Sequence, residues 1–321
     1  MSDVGAKKTK KPGHAVTPAA ADPPAAAERA ADGPAAAGRV GVRKTYKLYI
    51  GGAFPRSESG RSYPVYAAKG GELLAWAALA SRKDARDAVV AARKGQPGWA
   101  GATAYNRGQV LYRVAEVIEG RAGQFADEVV AAEGLTAAAA RRVVAAAVDR
   151  WVWYAGWPDK VAQVAGGANP VAGPYFNFSV PEPTGVVAVI APQESSLLGL
   201  VSVIAPAIAT GNAVVCVTSQ ERPLPAITLS EVLATSDVPG GVVNLLTGRT
   251  AELGPVLAGH FDVNAVDLTG VAAGGRAELE RLAASNVKRV FSADDDWAVV
   301  PSPRRMLAFL ETKTVWHPVG I

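Results

Sequence analysis

Residues 189–200, VIAPQESSLLGL, place a polar run between an apolar strand and an apolar helix. In an α/β protein the carboxyl end of such a strand is where a catalytic group or a nucleotide phosphate is met. The run offers Gln193, Glu194, Ser195 and Ser196, with no Gly-rich turn and no amide at its central position. Covalent chemistry would also need a nucleophile. The one cysteine, Cys216, lies within the apolar strand AVVCV, where a thiol behaves as a small buried hydrophobe. No histidine lies near it in sequence, and the three scattered histidines form no metal-ligand cluster. Two further turns hold glycine ahead of a helix, at Gly248 and at Thr269-Gly270-Val271. A helix amino terminus can attract an anion. The same glycines equally serve a tight strand–helix turn and nothing more.

The elements that must position these residues are periodic. Continuous Val/Ile/Leu strands are expected at Val186–Ile190, Ala213–Val217, Val242–Leu246, Ala265–Leu268 and Val287–Phe291, with helices centred on Val203, Leu229, Leu257 and Leu279 between them. Alternating strands and helices of this kind predict a parallel sheet covered on both faces. With right-handed crossovers it becomes a doubly wound, Rossmann-like α/β domain. Three helical stretches precede it. The first starts at Ser81, and the second carries Leu111, Val114, Ile118, Ala122, Phe125 and Val129 as one continuous stripe. The third runs from Thr136 towards Pro158 and carries Trp151, Trp153, Tyr154 and Trp157 at helical spacing, which predicts a packing face. Between helices and sheet, residues 174–180 alternate until Pro181 and Pro183 break the run.

The 321 residues are 49% apolar, enough for a large core. No apolar run approaches the ~18 residues of a membrane helix, no apolar stretch follows the amino-terminal lysines as a secretory signal requires, and a lone cysteine precludes an internal disulfide framework. These features predict a cytoplasmic protein without a membrane partner. Residues 1–44 are rich in Ala, Pro and Gly, which predicts a disordered tail. Their surplus of Lys and Arg over acids equals the whole formal charge of +4, so the remaining chain is balanced and nucleic-acid binding by the folded part is not expected.

The segments YIGGAF, YAGWPDK, YFNFSVPEPTGVVAVIAP, APAIATGNAVV, PGGVVNLLTG and VDLTG, in this order and spacing, resemble the aldehyde dehydrogenase superfamily up to about Val290. FLETKTVWHP is similar to that family's last strand. The resemblance implies a nucleotide-binding domain over 45–171 and 183–292, and an oligomerisation arm of β-strands over 172–182 and 309–321. A linker over 293–308 would then stand in place of the catalytic domain. The family carries Pro-Trp-Asn-Phe-Pro where this chain has Pro192-Gln193-Glu194-Ser195-Ser196, and its Asn amide donates to the oxyanion. Glu194, when ionised, only accepts hydrogen bonds. The family's Lys and Glu that grip the adenosine ribose fall on Val217 and Gln220, the Ser of its pyrophosphate turn on Val271, and its general-base Glu on Ala293. Residues 294–321 are too few for a catalytic domain with its nucleophile, since domains need about 50 residues. The resemblance therefore implies no catalytic residues, and NAD or NADP bound with weakened affinity through Thr269, Gly270 and Gly248, if at all.

Three functions stay open on these residues. One is a non-catalytic subunit that pairs through its β arm with a full-length aldehyde dehydrogenase, or with itself. The second is an NAD(P)-dependent oxidoreductase acting on an aldehyde. The third is an NAD(H)-sensing module without chemistry.

Overall fold

The computed structural model describes residues 43–320, and the expected disordered tail falls almost wholly outside them. A small sheet comes first, built from β1 (Thr45–Tyr46), β2 (Ser62–Tyr66) and β3 (Leu73–Ala78). The helices α1 (Arg82–Gly101), α2 (Ala104–Gly120), α3 (Ala122–Glu133), α4 (Ala137–Ala155) and α5 (Val161–Ala165) follow. Helix α1 starts where expected. The Ser81 hydroxyl accepts from the Lys83 and Asp84 amides, and the Asp84 carboxylate accepts from the Ser81 amide, a reciprocal capping box.

The second helical stripe corrects its expectation, because two helices share it. Helix α2 ends at Gly120, Arg121 leaves helical geometry at φ −116° and ψ 17°, and α3 resumes at Ala122. Glycine is a poor helix former, which locates the break. Leu111, Val114, Ile118, Phe125 and Val129 are all buried nonetheless, because the one-residue break keeps them facing the same core.

Next come β4 (Gly167–Asn169) and β5 (Tyr175–Pro183). After Thr184-Gly185 the doubly wound unit unfolds in order: β6 (Val186–Ile190), α6 (Leu198–Ala209), β7 (Ala213–Val217), α7 (Leu224–Ala234), β8 (Val243–Leu246), α8 (Thr250–Ala258), β9 (Ala265–Asp267), α9 (Ala273–Ala283) and β10 (Arg289–Phe291). The five strands are parallel in the order β10-β9-β6-β7-β8. The first two expected strands match residue for residue, the third starts one residue later at Val243, and the fourth ends one residue earlier at Asp267. The last is shorter than expected, because Val287 adopts a left-handed φ of 58° at the end of a 3-10 turn and pairing begins at Arg289.

Side chains alternate across the sheet with period two. Val186, Ala188, Ile190, Val215 and Val217 pack in one cluster with α1, α8 and α9. Val187, Val189, Val214 and Cys216 pack in another with α4, α6 and α7. Trp151 and Tyr154 are buried in that second core, as a packing face should be. The chain runs from β6 outward to β8, then returns to β9 on the other side of β6. The β6–β9 boundary is thus the switch point where ligands of such sheets bind.

The chain then passes through α10 (Arg304–Ala308) into β11 (Leu310–Pro318), which pairs antiparallel with the full length of β5. Pro181 and Pro183 lie within β5 instead of breaking it. Strand β4 covers β5 only from Asn177 to Ser179, so beyond Ser179 one edge of β5 carries no ladder and a missing N–H costs nothing there. Asn212, fully buried, ties this arm to the sheet. Its Oδ1 accepts from the Gly185 amide at 2.8 Å and its Nδ2 donates to the Phe309 carbonyl at 2.9 Å. Met306 and Phe309 are wholly buried in the α6 core. No helix among the described residues is long and apolar enough to cross a membrane.

Candidate functional site

The loop after β6 is held by its own polar groups. Gln193 Nε2 donates to the Ala191 carbonyl at 2.7 Å, and Gln193 Oε1 accepts from the Gln220 amide at 3.0 Å. The Ser219 hydroxyl donates to the Gln193 carbonyl at 2.7 Å. The first bond folds the β6 loop on itself, and the other two staple the carboxyl ends of β6 and β7 together. Ser195 Oγ accepts from the Gly199 amide at 2.8 Å in the first turn of α6, and the amide and hydroxyl of Ser196 both donate to Glu133 Oε1. The Glu194 carbonyl accepts from the Arg222 guanidinium, which leaves its carboxylate exposed. Every polar side chain of the loop except Glu194 is therefore committed to a hydrogen bond within the fold.

Beside the loop lies an open cleft of about 690 Å³, bounded by the ends of β6 and β7, by α8 and by the start of α9. Ala251, Pro255, Val271 and Leu279 form apolar walls, while Ser219, Gln220 and Thr250 give polar edges. Of the three candidate cofactor residues only Gly270 lines this cleft. Its amide donates to the Ile190 carbonyl at 2.9 Å, and a Cβ there would stand 1.9 Å from the Ala191 carbonyl oxygen, so only glycine permits this approach of β9 to β6. Thr269 turns away. Its hydroxyl donates to Asp267 Oδ1 at 2.6 Å and accepts from Arg305 at 3.0 Å. Gly248, at φ 152°, turns the chain between β8 and α8 against Ala80 and Leu253. Val217 points into the core below α8, and Gln220 borders the cleft.

On the other side of the Gly270 turn the segment 292–305 crosses the sheet end. Asp267 is 0% exposed at the end of β9, and Arg305 binds it together with Asp295. The Arg305 guanidinium also stands 4.6 Å from the Phe291 ring centroid. Burial works against its charge, but the Asp267 and Asp295 carboxylates outweigh burial and hold it above its ordinary value. Arg276 on α9 donates to the Val271 carbonyl at 3.0 Å and to Asp294 at 2.9 Å, and Arg150 on α4 donates to the Trp297 and Val299 carbonyls. A cavity of about 270 Å³ lies beneath this strap, between α4, α6 and residues 291–305. Tyr154 in its wall is pushed up to about 12 by burial. The cavity and the cleft share no lining residue.

Cys216 is 0% exposed, and burial, aided by Asp267, pushes its thiol well above the ordinary thiol range. Ala293 sits in the strap. Among the described residues no group of His, Cys, Asp and Glu is placed to hold a metal ion. Asp267, Arg276 and Arg305 are not among the residues expected at the site. One signal was present, since an acid within the apolar strand AVDL needs a buried cationic partner.

The family model described as "Aldehyde dehydrogenase family" matches residues 54–293. The mitochondrial benzaldehyde dehydrogenase of Antirrhinum majus is 33% identical over 251 residues, which cover 76% of this chain and 46% of that protein. The cytosolic 10-formyltetrahydrofolate dehydrogenase of Mus musculus is 31% identical over 263 residues, 78% of this chain and 28% of its own. An aldehyde dehydrogenase of Bacillus cereus, solved as an NAD+ complex, superposes with a TM-score of 0.74 at 28% identity, covering 78% of this chain and 50% of that one. The chain spans less than half the length of these two curated relatives.

Proposed function

The chain belongs to the aldehyde dehydrogenase family, and from that premise we propose that it acts without turning over an aldehyde, as a subunit that pairs with a full-length family member and supports it. The observation that carries this reading is the direct return of the chain. From the end of β10 at Phe291 only residues 292–309 intervene before β11 starts at Leu310 and pairs along β5. The return keeps a β arm whose outer strand, β11, is exposed along Glu311–Thr314 and at Trp316. An exposed strand edge is ready to take another chain by β-augmentation. Tyr175 and Trp316 stack edge to face across this arm at 5.7 Å and remain exposed, which adds apolar area at the same place.

The site chemistry supports the same reading. Glu194 stands where the family donates to an oxyanion, and its carboxylate can only accept. Cys216 is sealed in the core and its thiolate is disfavoured. An NAD(P)-dependent oxidoreductase built from this chain alone would lack both groups. Purification of the tagged chain from its native cells is the test. A full-length aldehyde dehydrogenase should accompany it, and the isolated chain should reduce no NAD with simple aldehydes. Disrupting the arm by Thr314→Pro should release the partner. A self-associated chain with no such partner, or turnover by the chain alone, would overturn the proposal.

A further inference from the structure

We propose that the pocket between the small amino-terminal sheet and the turn 56–61 binds a phosphate monoester by its dianionic head. Strand register sets the floor. Tyr46, Ala77 and Tyr63 stand side by side across β1, β3 and β2, in one cluster with Ile227 of α7. Side chains alternate along a strand, so Thr45, Ala78 and Ser62 face the opposite way. A pocket of about 180 Å³ lies over them, with Lys47, Arg56 and Arg61 around it and no acid in its lining. It shares no lining residue with the cleft or with the cavity beneath the strap.

The fold holds the turn in place. The Leu48 amide donates to the Pro55 carbonyl at 3.0 Å and the Leu79 amide to the Arg61 carbonyl at 2.9 Å, which pins the chain beside Arg56 and at Arg61. Between them the buried Asp84 carboxylate accepts from the Ser57 hydroxyl at 2.8 Å and from the Glu58 amide at 3.0 Å. A backbone fixed in advance lowers the ordering cost of gathering three cations on one ligand. The cations are also uncommitted. Glu58 turns to Ser81 and Lys83, and Glu231 takes Lys44 and Arg121. Among the described residues Lys47, Arg56 and Arg61 form no ion pair. The 25 basic and 25 acidic residues after the tail balance, so three cations without an acid are a local surplus.

Two guanidinium groups each offer parallel N–H donors to phosphate oxygens, and the lysine adds a point charge. The hydroxyls of Thr45 and Ser62 supply neutral donors from the two sides of Ala78. Ala78 is 5% exposed and closes the floor, so an ester arm leaves only towards solvent. A diester carries one charge fewer and a second arm, which this shape does not take.

Calorimetric titration of the full chain at neutral pH and constant ionic strength tests this, with glycerol 3-phosphate, inorganic phosphate and dimethyl phosphate as probes. Glycerol 3-phosphate and inorganic phosphate should saturate one site with a Kd of about 1 mM, and dimethyl phosphate should bind at least about ten-fold more weakly. Arg56→Gln with Arg61→Gln, both exposed, should weaken the ester about 100-fold at an unchanged Tm in phosphate-free buffer. Arg141→Gln with Arg142→Gln, an exposed pair on α4, should leave it unchanged. The proposal is overturned by the absence of saturable heat with the ester at millimolar concentration, or by dimethyl phosphate binding as tightly. Binding of inorganic phosphate without the ester, or an equal loss in both variant pairs, would overturn it too. None of these outcomes bears on the arm, whose pairing is read by co-purification, so the two proposals fail separately.

Discussion

The two sides of the Gly270 turn are made from the same sheet and meet opposite ends. On the α8–α9 side, short polar side chains from the β6 and β7 loops staple backbone to backbone and leave a cleft open to solvent. On the β10 side, one cation of the returning chain is buried between two carboxylates and fills the space. The open side is held by neutral hydrogen bonds, each of which contributes about 1 kcal/mol. The closed side depends on an ion pair whose halves cannot be separated cheaply, because either charge left alone in the interior is unpaid for. Closure therefore costs the fold a dependence that openness does not.

The sharpest way to break this contrast is Arg305→Met. It should lower the free energy of unfolding by about 3–5 kcal/mol in urea melts, since Asp267 is left buried and unpaired. Adding Asp267→Asn should recover a good part of that loss, and a single-variant loss below about 1 kcal/mol would falsify the anchoring role of the pair. Gly270→Ala comes next. Its Cβ would meet the Ala191 carbonyl oxygen, so β9 or the β6 loop must shift, at about 1–3 kcal/mol by thermal melting. On the open side, Gln193→Ala removes one staple to Gln220 and the bond to the Ala191 carbonyl and should cost about 1 kcal/mol, whereas Glu194→Gln should stay within about 0.5 kcal/mol.

The smallest effect concerns pH. The Arg289 guanidinium grips Glu311 through two hydrogen bonds of 2.7 Å and holds its carboxyl below the ordinary value of 4.5. A depressed carboxyl gives stability that is present above its unfolded pKa and lost as pH falls through the folded one. Glu311→Gln should thus remove less than about 1 kcal/mol near neutral pH, because the pair is largely exposed, and flatten the acid limb of stability.

The open side was legible in the sequence and the closed side was not. Strands β6 and β7 match their expected bounds because five consecutive apolar residues buried on both faces have no alternative reading. Ser81 announced α1 because a cap is local chemistry. The break at Arg121 was invisible, since the stripe keeps its phase on both sides of it. Pro181 and Pro183 misled because their tolerance depends on how far β4 reaches along β5. Arg305 had no local signal, as its partner Asp267 lies 38 positions earlier in the chain. Local rules find elements and caps, whereas buried ion pairs depend on which distant segments meet.

The Asn212 knot has a consequence for synthesis on the ribosome. Its carboxamide waits for the Phe309 carbonyl, 97 positions downstream. Until that stretch leaves the exit tunnel, the carboxamide keeps only its local acceptors, the Ala207 carbonyl and the Thr210 hydroxyl, and a gap stands where Met306 and Phe309 belong. A nascent chain stalled before Met306 therefore exposes the face of α6 that this later stretch seals.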